Sequence, residues 1–410
     1  MRVLSQGVAI PAVAEADRAP GRWGMVTLLA SAELLGMSVW FAGNAAGPQL
    51  SLRWGLDGPH LGWLTTAVQL GFVAGTACAA LLNLADLWPS RVYFAAAALL
   101  AAFANLGLET APDYGTALAT RFITGCFLAG VYPPAMKMIA TWFRSLRGLA
   151  IGTVVGALTV GKATPYLVHA ANGVRMEWAV LVTSLCAALA AALIATGYRD
   201  GPFPFERRPF SFGLALAVWR HRETRLAIAG YLGHMWELYA MWTWMPAFLL
   251  ASASARAAAG HGVVDARIAD LMAFGALAAG GAGCVWAGFA VRRMGYTRVV
   301  QIAMAASGAC SLLIGTCFGA SPWLLVPLAL VWGFFVVADS AQFSALVTEA
   351  APRHAVGTAL TLQTSMGFLL TMVTIQMVPW IASIDGWQWA FAVLAIGPAL
   401  GIATIRRLGT

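Results

Sequence analysis

Hydrophobic positions in this chain come in long runs separated by short polar stretches. Runs that can cross a bilayer, which takes roughly 20 apolar residues in a helix, fall at 23–45, 60–82, 92–108, 115–141, 148–170 and 177–197. A second set follows at 225–250, 268–290, 298–318, 322–346, 356–380 and 387–405. Backbone groups inside lipid must be satisfied within their own segment, so these runs predict helices. The expected fold is an all-α membrane protein, with twelve transmembrane helices in two pseudo-symmetric six-helix bundles. Residues 23–197 make the first bundle and 225–405 the second, with tails at 1–22 and 406–410. Between them, 198–224 is polar and basic, and Pro202, Pro204 and Pro209 mark it as a linker. It is too short to bury a core of its own.

The two halves share a short pattern. Glu33-Leu-Leu-Gly-Met-Ser-Val-Trp40 returns 204 residues later as Glu237-Leu-Tyr-Ala-Met-Trp-Thr-Trp244, matching as E-L-x-x-M-x-x-W. Each copy lies in the first apolar run of its half, so each places a carboxylate where a charge is costly. An ionisable residue inside a membrane segment is a candidate functional site.

Composition agrees with the pattern. Hydrophobic residues are 60% of the chain and charged residues 10%, with a mean hydropathy of +0.75. Soluble domains carry about a quarter charged residues, so a soluble enzyme is excluded. Eighteen arginines fall in the tails, the linker and every second loop, against only Arg53, Arg175, Arg256 and Arg267 in the others. The positive-inside rule then puts both termini in the cytoplasm, with the chain in the cytoplasmic (inner) membrane. The net charge of +8 is a topology signal and a match to anionic lipid headgroups rather than a nucleic-acid footprint. Residues 1–22 contain Pro11, Glu15, Asp17 and Pro20 and no apolar core, so the first span is expected to remain in the mature protein. The six cysteines lie within spans without CxxC spacing and read as packing residues. Phosphate-loop, calcium-loop, HExxH and GxSxG motifs are absent from the sequence, which points away from an enzyme, a metal or a cofactor.

At the loop after span 2 the chain reads Leu82-Asn-Leu84-Ala85-Asp86-Leu-Trp-Pro-Ser-Arg91, and after span 8 it reads Gly288-Phe-Ala-Val-Arg292-Arg293-Met-Gly295-Tyr-Thr-Arg298. Each is a degenerate form of G-x-L-A-D-R-x-G-R-R, and with the six-plus-six layout the chain resembles the major facilitator superfamily over residues 23–405. Arg121-Phe-Ile-Thr-Gly125 in span 4 is similar to that family's R-x-x-x-G signature. The resemblance implies alternating access about a midplane site, with Asp86, Arg91, Arg292 and Arg293 in loops that latch the halves on the cytoplasmic side. Span 5 lacks the Gly-Pro pair of the antiporter signature, which disfavours export. Spans 2 and 8 lack the arginines of nitrate porters, and span 6 lacks the sugar-porter pattern.

Candidate chemistry is confined to a few intramembrane residues. Glu33, Met37 and Trp40 follow at i, i+4 and i+7 and so share a helix face; His234, Glu237, Met241 and Trp244 repeat the stripe in span 7. Both stripes are expected to face a central cavity, with Glu33 and Glu237 as proton acceptors or substrate contacts and Trp40 and Trp244 as walls. The alternative is a glutamate held permanently by a neighbouring helix or cation. Arg121 and Lys162 fall at similar depth in antiparallel spans and suggest an anion clamp, or permanent counter-charges to the acids. Lysine occurs only at Lys137 and Lys162, against 23 arginines, and a buried lysine can release a proton where arginine cannot. His234 either relays the Glu237 proton or merely bonds it, and Asp339 in span 10 is a further intramembrane acid.

The expected protein is a secondary transporter, monomeric and without cofactor, taking up a small anionic solute together with protons. Two rivals stand beside it. One is a proton-antiport exporter of amphipathic or cationic compounds, with the midplane acids and tryptophans holding the cation. The other is a non-transporting sensor or assembly factor that reuses the fold.

Overall fold

The computed structural model describes residues 19–82, 84–144, 146–171, 175–203, 216, 218–262, 265–352 and 355–408. All regular structure among them is helical. Ten helical segments are long and apolar enough to cross a membrane. In the first half they are span 2 (Gly58–Leu81), span 3 (Ser90–Thr110), span 4 (Tyr114–Ala140), span 5 (Arg147–Ala171) and span 6 (Met176–Gly197). In the second they are span 8 (Ala266–Met294), span 9 (Tyr296–Cys317), span 10 (Pro322–Ala350), span 11 (Val356–Asp385) and span 12 (Trp387–Ile405).

The remaining two of the twelve are the first of each half, the ones that carry the repeated glutamates. Span 1 is broken into Arg22–Gly36, a 3-10 turn at Met37–Val39, Ala42–Ala45 and Gly47–Trp54. Span 7 is one helix, Arg222–Ala258, interrupted in its apolarity by His234, Glu237 and Tyr239.

The packing repeats between the halves. Spans 1–5, 1–6, 2–4, 3–4 and 3–6 are the main pairs of the first bundle, and 7–11, 7–12, 8–10, 9–10 and 9–12 are those of the second. Adding six to each number of the first set gives the second, which is the signature of a duplicated unit. The bundles meet along spans 5 and 8 and along spans 2 and 11. At the end of the molecule away from the termini, helix starts are capped by matching residues. Asp57 accepts from His60 N in span 2 and Asp265 from Arg267 N in span 8; Asp113 accepts from Thr116 N in span 4 and Ser321 from Trp323 N in span 10. Each such cap satisfies a helix N–H that would otherwise be left open.

Close helix approach brings the central residues together. In span 5 a Cβ on Gly161 would lie 2.1 Å from the Leu34 carbonyl oxygen, so only glycine lets spans 1 and 5 touch beside Lys162. Across the bundles, a Cβ on Gly156 would lie 2.8 Å from the Gly281 carbonyl oxygen.

Candidate functional site

Lys162 sits at the junction of the bundles inside an aromatic cage. Its Nζ lies 4.1 Å from the centroid of Trp40, 4.8 Å from that of Tyr239 and 5.2 Å from that of Trp242, and it donates to the Tyr239 hydroxyl at 2.5 Å. Trp40 also packs on Phe72, Tyr239 and Phe368, so side chains of both halves close round the ammonium. A cation over ring faces is stabilised by their quadrupoles, most where water is excluded. The indole N–H groups of Trp40 and Trp242 in this cluster are buried and have no acceptor. A cavity of about 60 Å³ opens beside Lys162, walled by Tyr132, Tyr231, Tyr239, Trp242 and Phe368. Thr371 donates to Gln69 Oε1 at 2.6 Å, which ties span 11 to span 2.

Glu33 is fully buried, and neither carboxylate oxygen has a hydrogen-bond partner. Its electrostatic neighbour is Lys162. The expected stripe of Glu33, Met37 and Trp40 is interrupted by the 3-10 turn at Met37–Val39, yet Glu33 and Trp40 both lie beside Lys162. Trp40 reaches the inter-bundle cluster from just beyond that turn.

Arg121 and Lys162 do not form one clamp. The Arg121 guanidinium is wholly buried and donates to the Val39 carbonyl at 3.1 Å, to the Trp40 carbonyl and to Asn105 Oδ1 at 3.0 Å. It thus satisfies carbonyls freed by the break in span 1, a need that follows from the lost helical bonds. Asn105 in turn donates to Ser184 Oγ at 2.9 Å and Thr183 Oγ1 at 3.2 Å, joining spans 3, 4 and 6.

Glu237 also departs from the expected cavity-facing position. It accepts from Trp332 Nε1 and from Ser307 Oγ, each at 2.7 Å, so it lies among spans 7, 9 and 10 inside its own bundle. His234 places Nδ1 2.8 Å from Asp339 Oδ1, although the angle is off the hydrogen-bond line, and Nε2 2.8 Å from Ser340 Oγ. Asp339 occupies the break in span 10 between Pro322–Ala338 and Ser340–Ala350. Trp244 donates to the Ile375 carbonyl at 2.7 Å, and Trp236 to that of Val393 at 3.1 Å. Trp236 therefore packs on span 12.

Away from the termini a larger vestibule of about 430 Å³ lies between the bundles, with Tyr166, His169, Thr243, Trp244 and Asp270 among its lining. His169 Nδ1 is 2.8 Å from Asp270 Oδ2, which links span 5 to span 8. Neither stands out in the sequence pattern, since His169 lies at the end of its apolar run and Asp270 at the edge of its own. Tyr239 and Trp242 were missed for another reason: each flanks a repeat position and carries no charge. Their register with Lys162 exists only across the bundle junction. Of the loop residues, Arg91, Arg292 and Arg293 are exposed, and the side chain of Asp86 lies outside the described residues.

Comparison with known proteins fits this architecture. The family model for the Major Facilitator Superfamily matches residues 28–263. The puromycin resistance protein of Streptomyces alboniger is 32% identical over 192 residues, 44% of this chain. The match spans only 37% of that relative's length. A mutant of the nucleoside transporter NupG superposes with a TM-score of 0.72 over 94% of this chain and 100% of that one, at 15% identity. A bacterial homolog of the human lysosomal transporter Spinster, inward-facing and unoccupied, gives 0.68 over 94% and 97%, also at 15% identity. Such low identity speaks to fold alone.

Proposed function

The chain belongs to the major facilitator superfamily, and we propose that within it this protein takes up a small solute bearing a carboxylate or similar anion, coupled to protons. Transport across a membrane is what the family does; the passenger and the coupling are our reading. One observation carries it: the central cluster holds buried donors that lack acceptors. Lys162 lines the cavity, and the Trp40 and Trp242 indole N–H groups beside it lack acceptors. A buried donor without a partner is costly, and an anionic group with an aromatic or apolar body supplies what is missing.

The coupling proposal rests on Glu33, whose buried carboxylate has Lys162 as its counter-charge and no hydrogen bond. When a substrate anion engages Lys162, that counter-charge is shared, and a proton on Glu33 restores the balance. Arginine-rich tails and loops support a cytoplasmic termini side. Alternating access then opens the Lys162 site to either face in turn.

The test is transport by the full-length protein in proteoliposomes, with carboxylates first ranked by thermal shift, since a ligand of the folded state raises its melting temperature. Lys162→Gln should abolish both the shift and transport. Glu33→Gln should lose accumulation driven by a pH gradient while keeping counterflow exchange. Retention of gradient-driven accumulation by Glu33→Gln would sink the coupling, and anion binding unchanged in Lys162→Gln would sink the site. A second reading, export of amphipathic compounds, is favoured by the match to the puromycin resistance protein. Against it, of the two midplane acids that would hold a cation, Glu237 is occupied by Trp332 and Ser307, and Glu33 already has Lys162 as its counter-charge. Sensitivity of a host to such compounds on deletion, with no carboxylate transport, would select that reading.

A further inference from the structure

The vestibule away from the termini is built differently from the Lys162 cavity, and the difference is one of polarity. Three side chains lining it are buried and carry polar atoms with no partner: His169 Nε2, Tyr166 OH and Thr243 Oγ1. His169 and Tyr166 are each 1% exposed and Thr243 is 4% exposed, so bulk water does not reach them freely. Asp270 is the acid of this lining, which contains no Lys or Arg among the described residues.

The hydrogen-bond arithmetic selects a donor. His169 Nδ1 lies 2.8 Å from the Asp270 carboxylate, where an Nδ1–H donates to it. In the tautomer whose Nδ1–H donates to Asp270, Nε2 is an acceptor. Nε2 and the carboxylate both ask for N–H or O–H groups, and the two hydroxyls accept as readily as they donate. A carboxylate solute would find no cation here. Trp244 offers only its ring, because its N–H is bonded to the Ile375 carbonyl. Ring faces and an acid together favour a cation, while Leu250 and its neighbours supply an apolar wall.

We infer that this vestibule is a second binding site, for a primary amine on an aromatic or apolar body, distinct from the Lys162 site. The ammonium bridges Asp270 and His169 Nε2, and the body lies along Trp244 and Leu250. Because His169 belongs to span 5 and Asp270 to span 8, the occupant holds the two bundles together at this end. The inference does not depend on which solute the central site carries.

The test uses the full-length protein in lipid nanodiscs, with 2-phenylethylamine as probe, 2-phenylethanol as its uncharged match and phenylacetate as its anionic one. The amine should bind and raise the melting temperature, the alcohol about tenfold more weakly, reflecting the lost charge-assisted bond. Phenylacetate should not compete. Asp270→Asn should weaken the amine by about tenfold or more, and Lys162→Gln should leave it unchanged. Tyr166→Phe, which removes one oxygen and keeps the ring, should weaken binding severalfold without altering the melting temperature of the free protein. If Asp270→Asn does not fold, that variant decides, together with protection of Ala251→Cys from a thiol reagent by the amine. Equal affinity of the amine for Asp270→Asn, loss of its binding in Lys162→Gln, or no binding to the wild type would overturn the proposal and leave the cavity to water.

Discussion

Replacing Arg121 by methionine separates a guanidinium that holds the fold from one that holds an anion. The wild-type side chain is fully buried and donates to two carbonyls at the span 1 break and to Asn105. Hydrogen bonds to a charged group contribute about 1.5–3 kcal/mol each, so three amount to about 4.5–9 kcal/mol before any relief. Methionine also removes the desolvation cost of burying the guanidinium, which offsets part of that sum. The net loss is about 3–5 kcal/mol, the range for taking one partner from a buried charged network. With about 2–4 °C of melting temperature per kcal/mol in a unit the size of one bundle, the expected fall is about 6–20 °C. Tryptophan fluorescence on heating, in nanodiscs, reads it directly. Asn105→Ala should cost less, about 1–2 kcal/mol, and should add less than its full effect in the Arg121→Met background because the groups share one network. If Arg121→Met melts within about 2 °C of wild type and instead loses anion binding, the clamp at the break is the wrong account.

Two further outcomes are expected. Gly161→Ala should lower the yield of folded protein sharply and disturb the Glu33–Lys162 region, since its Cβ would lie 2.1 Å from the Leu34 carbonyl oxygen and backbone cannot yield cheaply; size-exclusion of the purified variant checks it. Trp332→Phe should cost about 1–3 kcal/mol by leaving Glu237 Oε1 without its donor, measured by thermal unfolding, while transport through the Lys162 site persists in the folded fraction.

The layout of this molecule was legible because lipid imposes long apolar runs and arginines keep to the short polar stretches. Site residues were legible by type more than by place. Glu33, Arg121, Lys162, Glu237, His234 and Asp339 stand out as polar groups in apolar segments, and all six are buried. Their partners did not follow from periodicity. Trp40 was expected on the face of Glu33, and both lie beside Lys162, but a 3-10 turn after Gly36 stands between them. Glu237 matches Glu33 in the repeat, yet one meets Trp332 and Ser307 while the other meets only the field of Lys162. The halves share their packing order, but span 1 is broken where span 7 is continuous, so matching residues meet unlike neighbours.

By itself, the sequence determined a duplicated twelve-span membrane protein and named the few residues whose burial needs a reason, because hydropathy and charge act locally along a chain. Only the tertiary structure decided which donors meet which acceptors. Those meetings depend on helix breaks and on glycine-permitted contacts between segments distant in sequence. Tyr239 lies 77 residues from Lys162 and Asp270 lies 101 from His169.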